Sequence, residues 1–279
     1  MIAATSSPAI AASALHVTWH PKEPKLGEVA WLHVRGVPDT ASIEGTAAGS
    51  LLHFFPYGGG HVALVGVDLE TTPGAHPWSV VVLEPGKDPE TVKGSVRIRP
   101  RQFPVQRLTL PRAQVDLDPE TERRAVSESD RLKTLYRTIT PERLWQGKFT
   151  RPVAGQDPPT GFGSRRILNG KPRMPHAGVD FVADRGTAVV AANSGRIALV
   201  GDYFFPGRLV IVDHGLGLYT LYFHLDTVSV NEHDHVDRGQ PIGTVGATGR
   251  ATGPHLHFGA QLGTARIDPV ALFGLNFKD

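Results

Sequence analysis

Apolar residues along this 279-residue chain fall into short blocks separated by glycine and proline, in two series with a helical stretch between them. The first series spans residues 15–100: "VAWLHVRGV" (29–37), "SLLHFFPY" (50–57), "HVALVGVDL" (61–69), "HPWSVVVL" (76–83) and "GSVRIRP" (94–100). Brief blocks at this spacing, with turn residues between them, predict an immunoglobulin-like β-sandwich. The pattern changes over 101–150. Asp118 and Pro119 can serve as N-cap and first helical residue, and Ala125, Leu132, Leu135, Tyr136 and Ile139 recur at helical spacing. An amphipathic helix of about 20 residues follows, within a linker. From 151 to 279 strands return, as "AGVDFVA" (177–183), "TAVVAAN" (187–193), "GRIALVGDY" (195–203), "RLVIVDHG" (208–215), "LYTLYFHL" (218–225), "QPIGTVGA" (240–247) and "PHLHFGAQL" (254–262). Their short Gly-, Asp- and Asn-containing connections predict an antiparallel, hairpin-rich sheet.

Composition supports this picture. The 31 glycines and 23 prolines suit many short strands. The absence of cysteine excludes disulfides and thiolate metal sites. A formal net charge of +2 gives no case for nucleic acid. No apolar run approaches the roughly 20 residues of a transmembrane helix. The opening "MIAATSSPAIAASALHV" is small and apolar, and "AASA" resembles a signal-peptidase site, yet a basic n-region is missing. Residues 1–14 are read as a disordered leader or signal-peptide remnant, with export expected.

Three patches of the second series hold candidate ligands. In "MPHAGVDF", His176 and Asp180 are four apart; Pro175 and Gly178 argue against helix, placing His176 at a loop end and Asp180 on the strand that follows. His224 closes the strand "LYFHL". In "PHLHF", His255 and His257 are two apart, so they share one strand face, with Leu256 and Phe258 on the other. Zinc accepts imidazole and carboxylate ligands, three of them in a catalytic site. Four histidines and one aspartate exceed that number, and the surplus can handle protons.

The stretches "SRRILNGKPRMPHAGVDF", "LYTLYFHL" and "GRATGPHLHFG" resemble the lysostaphin-like (LytM-type) zinc endopeptidases of bacterial cell walls. The resemblance covers residues 165–270 closely and the N-terminal sandwich and helix more loosely. It implies a mainly β chain with a C-terminal antiparallel β-sheet peptidase domain. It implies one Zn2+ per chain on His176, Asp180 and His257, and His224 and His255 as the catalytic pair outside the metal shell. It further implies hydrolysis of peptidoglycan stem or cross-link peptides by zinc-activated water. One histidine takes the water's proton and the other stabilises the oxyanion or protonates the leaving amine, in either assignment. With no position missing, an active enzyme is implied, in the periplasm or cell envelope. A D,D-endopeptidase acting on D-Ala–diaminopimelate links is the expectation for a two-membrane cell, with a pentaglycine bridge the alternative. Arg165, Arg166 and Arg173 are candidates for meeting acidic stem peptides, against the plainer reading of surface arginines. A regulatory protein could bind through the N-terminal domain. The stretch "NEHDHVDRG" (231–239) departs from the family's usual Gly-Asp turn, which leaves the shape of that hairpin in question.

Other readings find less support. "VDRGQPIGTVGATG" resembles a biotinyl or lipoyl carrier, but no lysine lies between Pro172 and Phe277 to hold the cofactor. "HDHVD" (233–237) matches the His-x-His-x-Asp of metallo-β-lactamase-like enzymes but also reads as a charged turn. A non-catalytic wall-binding or amidase-activating protein of the same fold is the alternative function. "LWQGKFTRPV" (144–153) is either a gate beside the catalytic domain or packing of the linker.

Overall fold

The computed structural model describes residues 15–109, 116–154 and 161–277. The leader expected at 1–14 lies outside these residues. The chain is mainly β, and no helix among the described residues is long and apolar enough to cross a membrane.

The N-terminal region is a sandwich of two four-stranded sheets. One runs His16–His20, Val29–Arg35, Gly60–Gly66, Phe54–Tyr57; the other runs Ser50–Leu51, Ser42–Ala47, Gly74–Leu83, Glu90–Ile98. Ala30, Leu32 and Val34 alternate along their strand and meet Val80, Val82 and Val96 of the facing sheet. The outward face of the first sheet is also buried. Val29, Val62 and Leu64, with Phe55, belong to the core of the C-terminal region. Two covered faces account for the nearly unbroken apolar run "HVALVGV", where a one-sided sheet would alternate.

The C-terminal region is built on a nine-stranded sheet. Its main path runs Gly178–Val182, His255–Leu262, Leu218–Val228, Gly207–Asp213, Gly195–Tyr203, His235–Val236, with all these pairings antiparallel. The Pro119–Tyr136 helix is capped by the Asp118 carboxylate, which accepts from the backbone N–H groups of Glu120 and Thr121. Its buried edge, Leu132, Leu135 and Tyr136, packs on Leu199, Tyr203, Leu209, Ile211, Tyr219 and Leu221. The helix thus covers part of one sheet face and leaves the rest of that face open.

The 144–153 segment is packing. Trp145 and Val153 are fully buried, and Gly147–Lys148 pairs with Asn276–Phe277. Another linker segment takes a role that the antiparallel pattern did not foretell. Val105–Leu108 pairs parallel with Arg165–Leu168, bringing residues before the helix alongside the loop that carries His176.

The sandwich and the nine-stranded sheet are joined by one apolar core and by charge. Phe277 packs edge-on against Trp31, Phe55 and Tyr57, with ring centroids 5.5, 5.3 and 5.0 Å away. Arg266 grips Asp68 through Nε and Nη2 at 2.9 and 2.7 Å, and Arg101 reaches Asp268 at 2.9 Å. Burial alone would raise the Asp68 carboxyl, but the bonds from Arg266 outweigh it and hold the group below its ordinary range. Phe277→Ala is therefore expected to destabilise the protein by about 3–5 kcal/mol while unfolding stays a single cooperative transition by calorimetry. Two separate transitions in the parent chain would show that the regions do not share a core.

Candidate active site

The site grows from one cross-strand register. Asp180 lies directly opposite His257, and Val182 opposite His255. Because side chains alternate, His255, His257 and Asp180 project from one face while Leu256, Phe258 and Phe181 are fully buried on the other. Phe223, opposite His257 on the next strand, stacks on its imidazole at 5.4 Å and 16°. Tyr219, Leu221 and Phe223 are spaced by two, so this is the face the helix covers farther along.

His224 reaches the site against that alternation. As the neighbour of Phe223 it would point to the opposite face in a regular strand. At His224 the strand stops pairing with His255–Leu262 and starts pairing with Pro241–Val245, and the residue has φ +63°. A bulge-like break of this kind re-aims a side chain. The break is held on both sides. The His224 N–H donates to the Pro206 carbonyl at 2.8 Å, and its Nδ1–H donates to the Thr248 carbonyl at 2.8 Å.

His176 arrives from the loop before the Gly178–Val182 strand. Its backbone N–H donates to Ser164 O at 3.0 Å and its carbonyl accepts from Gly163 N–H at 2.7 Å. Its Nδ1–H donates to Gly161 O at 3.0 Å, so Nε2 keeps its lone pair. That Nε2 lies 2.8 Å from His257 Nδ1 and 3.1 Å from Asp180 Oδ1, and the last two atoms are 2.9 Å apart. Donors bound to one ion at about 2.0–2.1 Å in a tetrahedral shell lie roughly 3.3 Å apart, so the triangle is the right size to close on a small cation. Two imidazole nitrogens and a carboxylate oxygen are also the donor types that zinc takes. Among the described residues this is the one such group of three; His233, His235 and Asp237 are exposed and do not form another.

Electrostatics keep the donors ready. Burial opposes charge on Asp180, but the His176 and His257 imidazoles beside its Oδ1 prevail and hold the carboxyl well below the usual carboxylate range. Burial pushes the His257 imidazole down to about 4, with His176 adding to the fall and Asp180 opposing it. Burial, reinforced by His257 and His255, pushes His224 down to about 3. Both rings are neutral at physiological pH. His255 donates from Nδ1 to Gly253 O at 2.8 Å, and its Nε2 faces Asp180 Oδ1 at 3.9 Å. The His224 and His255 ring centroids are 4.8 Å apart.

These groups open into a cleft of about 120 Å³ lined also by Gln106, Leu108, Arg166, Arg250 and Thr252. Of the arginines expected here, Arg166 lines the cleft and sits 3.6 Å from Asp180 Oδ2. Arg165 is exposed and Arg173 half-buried, and neither is part of the lining. Sequence reasoning missed Arg250, although it stands five residues before His255. It also missed Gln106 and Leu108, which only the parallel pairing brings in. Gly178 is a further omission. A Cβ there would lie 2.5 Å from the Phe258 carbonyl oxygen and 2.7 Å from His257 Nε2.

The family model for peptidase family M23 matches residues 174–269. A crystal structure of a putative M23 peptidase from Pseudomonas aeruginosa superposes with a TM-score of 0.70 and 31% identity, over 90% of this chain and 96% of that one. Among curated proteins, the peptidoglycan DD-endopeptidase ShyB of Vibrio cholerae is 37% identical over 97 residues, 35% of this chain and 23% of that relative. The DD-carboxypeptidase/endopeptidase Mpg of Neisseria meningitidis is 41% identical over 97 residues, 35% and 22% of the two chains. The chain thus aligns with less than a quarter of either curated relative. A β-sandwich joined to a sheet that gathers three metal-type donors on one face defines a peptidase-like architecture, and the chain belongs to peptidase family M23.

Gly178→Ala is expected to displace the His257 ring and to lower metal affinity by about 10–100-fold, the range seen when a ligand's support is lost. Metal titration with circular dichroism checks it; unaltered affinity would show that the ring has room to move.

Proposed function

We propose that this chain is a zinc-dependent endopeptidase that cleaves peptide bonds of peptidoglycan stems or cross-links, as a D,D-endopeptidase in the bacterial cell envelope. The observation that carries the reading is the donor triangle of His176 Nε2, Asp180 Oδ1 and His257 Nδ1, flanked by two further histidines whose Nδ1–H groups are tied to backbone carbonyls. The names of the Vibrio and Neisseria relatives support the substrate class and the bond.

His176, Asp180 and His257 would hold the ion. When bound, zinc supplies a Lewis acid that polarises the scissile carbonyl and makes water nucleophilic near neutral pH. The remaining work falls to the chain. Tying Nδ1–H of His224 to Thr248 O leaves its Nε2 with a free lone pair, and the low basicity imposed by burial keeps that lone pair unprotonated. The Nδ1–H of His255 is tied to Gly253 O, which turns its Nε2 to the donor cluster. One Nε2 accepts the proton of the attacking water, and the other, once protonated, donates to the oxyanion or to the departing amine. Phe223 stacks on the His257 ring, and Leu108 adds an apolar side chain to the cleft wall. The N-terminal sandwich, fixed to the peptidase sheet, offers the surface on which a regulatory protein would act.

Asp180→Ala and His257→Ala are expected to lose zinc and turnover together. His224→Ala is expected to keep zinc and lose about 10²–10⁴ in kcat, the usual share of a general acid or base. Elemental analysis with hydrolysis of purified sacculi reads both. Loss of zinc from His224→Ala, or sacculi untouched by the zinc-loaded parent, would overturn the reading.

A further inference from the structure

The cleft carries more positive charge than its own carboxylates neutralise. Arg166 and Arg250 both line it, and Asp180 is the one carboxylate among the lining residues. Asp180 is already committed, with Oδ1 2.9 Å from His257 and 3.1 Å from His176 and only the longer 3.6 Å contact of Oδ2 to Arg166. The Arg166 Nε is buried and has no hydrogen-bond partner among the described residues. Arg250 meets no carboxylate among the described residues. A divalent ion on the donor triangle would add to the imbalance.

Arg250 is also held in place. Its N–H donates to Phe205 O at 3.0 Å, and its guanidinium carbon lies 4.1 Å from the Phe205 ring centroid. The loop behind it is pinned where Gly249 meets Gly207: a Cβ on Gly249 would fall 2.2 Å from the Gly207 nitrogen. Burial, with Arg166 and Arg173 close by, pulls the Arg250 guanidinium down to about 10, which still leaves it charged at neutral pH. Two guanidiniums with N–H donors left unused among the described residues match a planar carboxylate in shape and charge.

We propose that Arg250, with Arg166, forms a subsite for a free carboxylate on the residue supplying the scissile amine, so that the cleft selects anionic cross-links over neutral glycine bridges. The inference rests on the peptidase reading. In a D-Ala–diaminopimelate link the acyl residue bears only a methyl group, and the carboxylate stands on the carbon next to the scissile nitrogen. A cleft of about 120 Å³ keeps that carboxylate beside the reacting bond.

The test is calorimetric binding to the zinc-loaded full chain. Two non-hydrolysable D-alanyl peptides are compared, differing only in a carboxylate or a carboxamide on the amine-side residue. The parent is expected to bind the carboxylate form roughly tenfold more tightly or better, as charge-assisted bonds do. Arg250→Gln is expected to shrink that preference to within about twofold, and Arg250→Lys to retain part of it, with zinc content and unfolding midpoint unchanged. Equal binding of the two peptides by the parent would overturn the subsite. So would a preference that survives Arg250→Gln, or a variant that weakens both peptides equally. A preference that follows Arg250, with no cleavage of the hydrolysable counterpart, would keep the subsite and remove the peptidase reading. Cleavage without the preference would do the reverse.

Discussion

One antiparallel register sets the rest of the site. Asp180 sits across from His257, and the two-residue period places His255 on the same face. A slip of one residue would turn Asp180 into the apolar layer and Phe181 out of it. The buried side chains on the reverse face, Phe181, Leu256 and Phe258, therefore guard the chemistry on the front. Their packing makes the productive register far more favourable than its neighbours.

The second constraint is covalent reach. No single strand could present His176, His224 and the pair on the His255–Leu262 strand to one point. The sheet solves this with a loop end for His176 and a break in pairing for His224. The break has φ +63° at a non-glycine residue, a conformation that costs about 1–3 kcal/mol unless its surroundings enforce it. The surroundings are explicit: the carbonyls of Pro206 and Thr248, and the contact of Gly207 with the 248–249 loop. The same loop carries Arg250, so the proposed anion seat and the proposed proton-handling histidine share one support.

Much of this was legible in the sequence for physical reasons. Period-two alternation marked "PHLHF" as a same-face pair, and Asp118-Pro119 marked the start of the helix. The apolar run at 61–67 marked a strand of the sandwich, but burial of its second face depends on contacts such as Phe55 and Tyr57 with Phe277, about 220 residues away in sequence. His224 is the instructive residue: alternation from Phe223 sends it to the wrong face, and only the change of strand partner corrects it. Gln106 and Leu108 carry no local signal, because their place depends on a parallel pairing with Arg165–Leu168. Arg250 was visible in "GRATGPHLHFG" but unmarked, since a lone arginine in a loop has no periodicity to declare its direction.

The proposed site divides its labour among four histidines and one aspartate, two of the histidines binding metal and two kept apart from it. X-ray absorption spectroscopy of the zinc-loaded protein reads this directly. A shell of nitrogen and oxygen at about 2.0 Å is expected, with outer scattering that fits two imidazoles and one carboxylate. Scattering that requires three or four imidazoles would place His224 or His255 on the metal and contradict it.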